Sequence, residues 1–244
     1  MASQSSYENL LGRFIVVIAI LKTWVEYLPT NVLITIAALD VFAPLVRAKN
    51  DLVETLLVLL TDKRKERKPQ VFRGKEADIN CLQNRVASIV AYLKAEFGKT
   101  SGAYLKVYAL YKKFAPAYPK KKDITLPKGS GRSPSERSFV AVTGYASEIL
   151  AIIGSLGAAY NPTNNTAIQL ADFKLFVQYL TKLNGDIGVA LKDYGDAVKD
   201  RETIYDAPDG LNARVILIKN YLESFAGGKK GQKYIEVDQA LKGK

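Results

Sequence analysis

The chain contains no histidine. That removes the usual general base, the usual zinc ligand and every Ser-His or Cys-His nucleophilic arrangement. Its 244 residues include one cysteine, Cys81, so no internal disulfide can form. The neighbours Ile79, Leu82 and Val86 mark Cys81 as a small buried hydrophobe. No apolar run approaches the roughly 20 residues needed to span a bilayer. The longest, Phe14 to Leu21, resembles the core of a signal peptide, but Lys22, Trp24 and Glu26 follow where small cleavage-site residues belong. No stretch alternates apolar and polar residues long enough to form a strand. What remains is a chain that is 48% hydrophobic and reads throughout in helical spacing.

The sequence also repeats itself. Tyr27-Leu28-Pro29-Thr30-Asn31 returns as Tyr160-Asn161-Pro162-Thr163-Asn164, each time between apolar segments. Extending the alignment pairs Gly12 with Gly144 and Ile20 with Ile152. After a one-residue slip, Ile34, Leu39, Phe42, Asn50 and Leu57 meet Ile168, Phe173, Phe176, Asn184 and Leu191. Asp62, Lys65, Glu66 and Arg67 then meet Asp196, Lys199, Asp200 and Arg201. Leu82-Gln83-Asn84-Arg85-Val86 lies on Leu211-Asn212-Ala213-Arg214-Val215, and Tyr92, Gly98, Tyr104 and Val107 lie on Tyr221, Gly227, Tyr234 and Val237. Four aligned segments in order read as a tandem duplication.

The expected fold is therefore all-α, a tandem duplication of an antiparallel three-to-four-helix bundle. Residues 1–115 form unit 1, 116–134 a Pro/Lys/Gly-rich linker, and 135–244 unit 2. Helices are expected over about 7–24, 34–68, 75–97 and 104–114, and again over 135–156, 167–205, 211–225 and 234–241. The proline motif should end each first helix and cap the next. Pro44 should kink or break the second helix, and a glycine should close each third helix. Ser133-Pro134-Ser135-Glu136 reads as a helix start. The two units either pack about a pseudo-two-fold axis or stand in tandem.

The best polar constellation pairs Asp62 with Glu66 and Asp196 with Asp200, each pair four residues apart on one helical face. Arg85 and Arg214, on the following antiparallel helices, should come level with them. Two acids per unit, without histidine or a third acid at helical spacing, make a poor metal site. The expectation is structural ion pairs, with no catalytic residue, no metal and no cofactor. Asp193, Asp196 and Asp200 make an acidic stripe that reads as a solvated face.

The net charge of +11 is uneven. Residues 1–130 hold 21 Lys and Arg against 11 Asp and Glu, whereas 131–244 hold 14 against 13. The excess gathers at Lys63, Arg64, Lys65, Arg67 and Lys68, at Lys112 and Lys113, and at Lys120, Lys121 and Lys122. Tyr104, Tyr108, Tyr111 and Tyr118 lie close by. Such clusters suit a polyanion, nucleic acid or anionic membrane, and equally serve solubility.

Arg132-Ser133-Pro134-Ser135-Glu136-Arg137-Ser138, followed by Thr143-Gly144 and Tyr160-Asn161-Pro162-Thr163, resembles a pattern in uncharacterised bacterial all-helical proteins, most strongly in the second half. That resemblance implies a bacterial cytoplasmic setting and transfers no functional residue. The sequence thus leads to a non-enzymatic helical scaffold or assembly module that binds a protein partner or itself. Polyanion binding through the basic first half and linker is the alternative.

Overall fold

The computed structural model describes residues 4–74, 78–114 and 138–243. Among these the regular secondary structure is helical, without strands. The α-helices are α1 (Gln4–Lys22), α2 (Ile36–Val71), α3 (Leu82–Phe97), α4 (Gly102–Phe114), α5 (Phe139–Gly154), α6 (Leu170–Asp206), α7 (Leu211–Glu223) and α8 (Gln232–Lys242). The linker 116–134 and the helix start expected at Ser133 to Glu136 lie outside the described residues. α5 itself begins at Phe139, where the Ser138 side chain accepts from the Ala141 amide at 3.1 Å and satisfies one orphan donor of the first turn.

The chain divides into two compact units, but not at the linker. One joins Met1–Leu59 to Ala190–Lys244, and the other is Leu60–Val189. The boundaries fall inside α2 and α6. At ~1.5 Å per residue these helices of 36 and 37 residues are about 55 Å long, more than one small helical core covers, so each contributes one part to each unit. The expected division at 1–115 and 135–244 therefore does not describe the packing.

In the first unit, Leu11, Phe14, Val17 and Leu21 of α1 share a core with Leu39, Phe42 and Val46 of α2, Leu211, Ile218 and Leu222 of α7, and Val237 of α8. In the second, Leu82, Val86, Ile89 and Leu93 of α3 pack with Val107 of α4, Val142 and Ile149 of α5, and Phe173 and Val177 of α6. Both cores follow three-to-four spacing, the signature of a helix buried on one side. Cys81 is fully buried in the second unit, as its apolar neighbours suggest.

The two proline motifs do the same work in both units. Tyr27 OH donates to Ile34 O and Tyr160 OH to Ile168 O, each at 2.8 Å. Asn31 accepts from the Leu33 amide and Asn165 from the Ala167 amide, capping the single 3-10 turns Val32–Ile34 and Thr166–Ile168. α1 and α5 end before either motif is reached, so the proline does not stop them; the buried tyrosine straps the connection down instead. α2 runs unbroken through Pro44. Pro44 and Asp40 are both exposed, so the carbonyl that loses its helical partner belongs to a residue water can reach. Gly98 and Gly227 terminate α3 and the turn after α7 with φ of 80° and 91°, a region glycine enters without steric cost.

Candidate functional site

Arg85 and Arg214 do not meet the acidic pairs. Arg214 sits in the first turn of α7, where its Nε donates to Asp209 O at 2.8 Å and a terminal nitrogen donates to Leu33 O. Its guanidinium lies over the Phe42 ring, 4.0 Å from the centroid. Arg85 repeats this in α3, donating to Asn80 O at 2.7 Å and to Ala167 O, 4.1 Å over Phe176. Burial holds both guanidinium pKa values below the ordinary arginine range, because a low dielectric disfavours the charged form. The expected pairing assumed that helix 3 starts near Lys75. It starts at Leu82, and α7 starts at Leu211 as expected, so each arginine lies in a first turn, where it reaches back to the residues before the helix and across to the strap.

The four acids find other partners. Asp62 meets Lys65 at 3.6 Å, Asp196 meets Lys192 at 3.3 Å, and Asp200 meets Lys49 at 2.7 Å. Glu66 accepts from Tyr179 OH at 2.9 Å. All four acids are exposed, so each contact contributes at most about 1 kcal/mol.

A second matched pair of arginines comes from the aligned positions 67 and 201. Arg67 lies 3.7 Å over Phe139 and donates to Asn184 Oδ1 at 2.8 Å. Asn184 in turn donates to Thr143 Oγ1 at 2.8 Å. Arg201 lies 4.1 Å over Tyr7. Beside it Asn50 donates to Tyr205 OH, which donates to Tyr7 O at 2.9 Å. Arg67 is thus a structural residue, removed from the basic surface to which sequence reading assigned it. The alignment of Asn50 with Asn184 and of Arg67 with Arg201 was the signal that could have revealed these networks.

The remaining basic residues divide by surroundings. Arg64 and Lys68 are exposed, while Lys63 approaches Asp186 at 3.9 Å. Lys112 lies over Tyr108 and Lys113 over Tyr145, both 4.8 Å from the centroid. Lys120, Lys121 and Lys122 lie outside the described residues. By compact unit the charge sorts completely. The span Leu60–Val189 holds 21 Lys and Arg against 10 Asp and Glu, whereas Met1–Leu59 with Ala190–Lys244 holds 14 against 14.

The neutral unit carries an apolar stripe on α2. Val41, Leu45, Leu52 and Leu59 are 66%, 54%, 43% and 45% exposed, and Ala48 and Thr55, also exposed, complete a four-three-four-three-four spacing. The aligned positions of α6 read Leu175, Tyr179, Lys182, Asp186, Val189 and Asp193, so the fold does not require apolar residues there.

Two of the surface grooves have room for a small molecule. One, of about 330 Å³, runs between α3 and the second strap and is lined by Ser88, Tyr92, Glu96, Asn161 and Asn165. The other, of about 340 Å³, lies between α1 and α2 among Ile15, Ile18, Asp40, Ala43 and Arg47. Neither brings together a nucleophile with a base or two facing carboxylates, the minimum for hydrolytic chemistry. Among the described residues no cluster of three or more Cys, Asp or Glu side chains could hold a metal ion, and no helix is long and apolar enough to cross a membrane. In comparisons with protein-family models, curated proteins and solved structures, the chain matches none.

Proposed function

We propose that the protein is a non-enzymatic helical scaffold that docks a protein, either a partner or a second copy, through the exposed stripe of α2. The stripe is the observation that carries this reading. A surface stripe about 27 Å long, with Leu45, Leu52 and Leu59 at heptad spacing, is unusual on a helix that needs no such contact for its own fold, and it matches the seam by which helices pair. The engagement of Arg67, Arg85, Arg201 and Arg214 by carbonyls, an amide and aromatic rings supports a non-enzymatic role. The setting we propose is the bacterial cytoplasm, on the resemblance of residues 132–163.

The same reading includes a tandem duplication whose halves fold by exchange. It is supported by the paired straps, one within each half, and by the Arg85 and Arg214 clamps and the Arg67 and Arg201 ring contacts, each built from residues of both halves.

The test compares the full chain with a Leu45→Glu, Leu52→Glu double variant. Light scattering over a concentration series and crosslinked capture from the native cell should both register loss of association, with thermal unfolding unchanged. An identical mass and an identical captured set would sink the docking role.

A second reading, polyanion binding, is favoured by the confinement of the whole +11 to the span Leu60–Val189. Charge of that density recruits polyanions by releasing their condensed counterions.

A further inference from the structure

α4 differs in kind from its counterpart α8. In α8 the aligned positions are Tyr234, Asp238 and Lys242. Asp238 accepts from Lys219 at 2.7 Å and pairs with Lys242 at 2.5 Å. Lys219 also lies over the Tyr234 ring. Hydrogen bonds from Lys219 and then Lys242 hold the Asp238 carboxyl below the usual carboxylate range. That face is closed on itself, one carboxylate held between two ammonium groups.

In α4 the three positions are Tyr104, Tyr108 and Lys112, and Val90 stands where α7 has Lys219. No carboxylate is present anywhere in α4. The Tyr104 and Tyr108 rings stack at 5.5 Å with an interplanar angle of 7°, and Lys112 lies over the Tyr108 ring. Tyr108 is 36% exposed and Leu105 beside it 52%. Lys106 and Lys113 occupy the other exposed edge of the helix, about 140–160° around from Tyr108 at 100° per residue. The acids on the helices packed against α4 are Glu96 of α3 and Glu148 of α5, both exposed. Neither forms an ion pair among the described residues.

We propose that α4 is a binding face for single-stranded nucleic acid, with Tyr104 and Tyr108 as a stacking platform and Lys112 contacting the adjacent phosphate. The proposal rests on the polyanion reading and localises it. A flat pair of parallel tyrosine rings offers a π-face to any unpaired base, and a long flexible lysine can leave the ring to reach a phosphate. A duplex keeps its bases within its own stack, so it cannot use the platform. A bilayer would draw on the charge alone. Lys106 and Lys113 would guide the strand across the crest of the helix without reading its sequence.

The experiment uses the full chain and a fluorescein-labelled oligothymidylate, followed by anisotropy across a salt series. A duplex of equal length and vesicles of phosphatidylcholine with phosphatidylserine serve as the comparison ligands. The single strand should bind more tightly than the duplex. Tyr108→Ala should weaken that binding about tenfold or more, the range for one base–aromatic stack, with the salt slope and thermal unfolding unchanged. Lys112→Gln should lower the salt slope by about 0.7, one phosphate contact on a single strand, while Tyr108→Phe should bind as the parent does. Undiminished affinity in Tyr108→Ala overturns the α4 site and leaves the polyanion reading intact. Binding to vesicles without binding to the oligonucleotide overturns the site in favour of a membrane. Absence of binding to all three ligands at low salt overturns both the site and the polyanion reading.

Discussion

The Arg214 guanidinium covers the Phe42 ring at 4.0 Å while donating to the Leu33 carbonyl. A side chain from the second half of the sequence thus pins a strap and a helix from the first. Arg85 pins Phe176 and Ala167 in the opposite sense. Each contact combines charge-assisted hydrogen bonds with a cation–π interaction, Arg214 being buried and Arg85 half-buried.

Removing one of these arginines strips partners from two carbonyls and leaves a gap over an aromatic ring. Arg214→Met should therefore lower the unfolding free energy by about 1–3 kcal/mol. Arg214→Lys should lose most of that, because an ammonium cannot serve both carbonyls and stack on the ring. Asp196→Asn and Asp200→Asn should stay within about 0.5 kcal/mol, as exposed ion pairs do. Urea titration reads all four. A larger loss at the aspartates than at the arginine would restore the interhelical ion pairs that the sequence suggests.

Both compact units draw on both halves of the chain. A fragment of residues 1–115 keeps α1 but lacks α7 and α8, with which α1 shares its core; a fragment of residues 135–244 keeps α5 and α6 but lacks α3 and α4. Each fragment alone should show weak helical circular dichroism and no cooperative melt, and an equimolar mixture should recover both. Cooperative melting of either fragment as a monomer would mean that the packing follows the repeats after all.

Tyr160 donates its phenol to Ile168 O in a buried position. Burial, with a smaller contribution from Tyr92, raises its pKa far above the ordinary tyrosine value of 10.0. A group whose pKa rises on folding contributes stability that is complete below the unfolded value and lost as pH climbs toward the folded one. Tyr160→Phe should thus cost about 0.5–1.5 kcal/mol near neutrality. The gap should close above pH 10, where the unfolded parent ionises and the variant has nothing to ionise. Chemical unfolding of both proteins from pH 7 to pH 11 checks this. A gap that stays constant to pH 11 would show that the buried phenol is not what distinguishes them.

The sequence by itself determined the helices. Three-to-four spacing places α1 to α8 within a few residues of where they lie, because a helix is a local structure whose hydrogen bonds close four residues away and whose buried side shows directly in the apolar period. α3 starts later than expected: the Arg73 amide donates to Gln83, the Arg73 side chain to Asn84, and Asn84 to Ile79 O, contacts that no periodicity reveals. The alignment also pairs Arg85 with Arg214 and Arg67 with Arg201, and each of these arginines lies over an aromatic ring. It could not show which half each residue faces. A helix of some 36 residues offers more buried length than its own hairpin can cover, and only the tertiary structure decided that α8 packs on α1 and α4 on α5, with α7 and α3 against the two straps. That choice turned two arginines away from the acids, sorted an uneven charge into one neutral unit and one strongly basic unit, and left the α2 stripe and Tyr108 of α4 exposed. Burial and exposure are properties of the packed chain, set by contacts between residues more than a hundred positions apart, and no local pattern carries them.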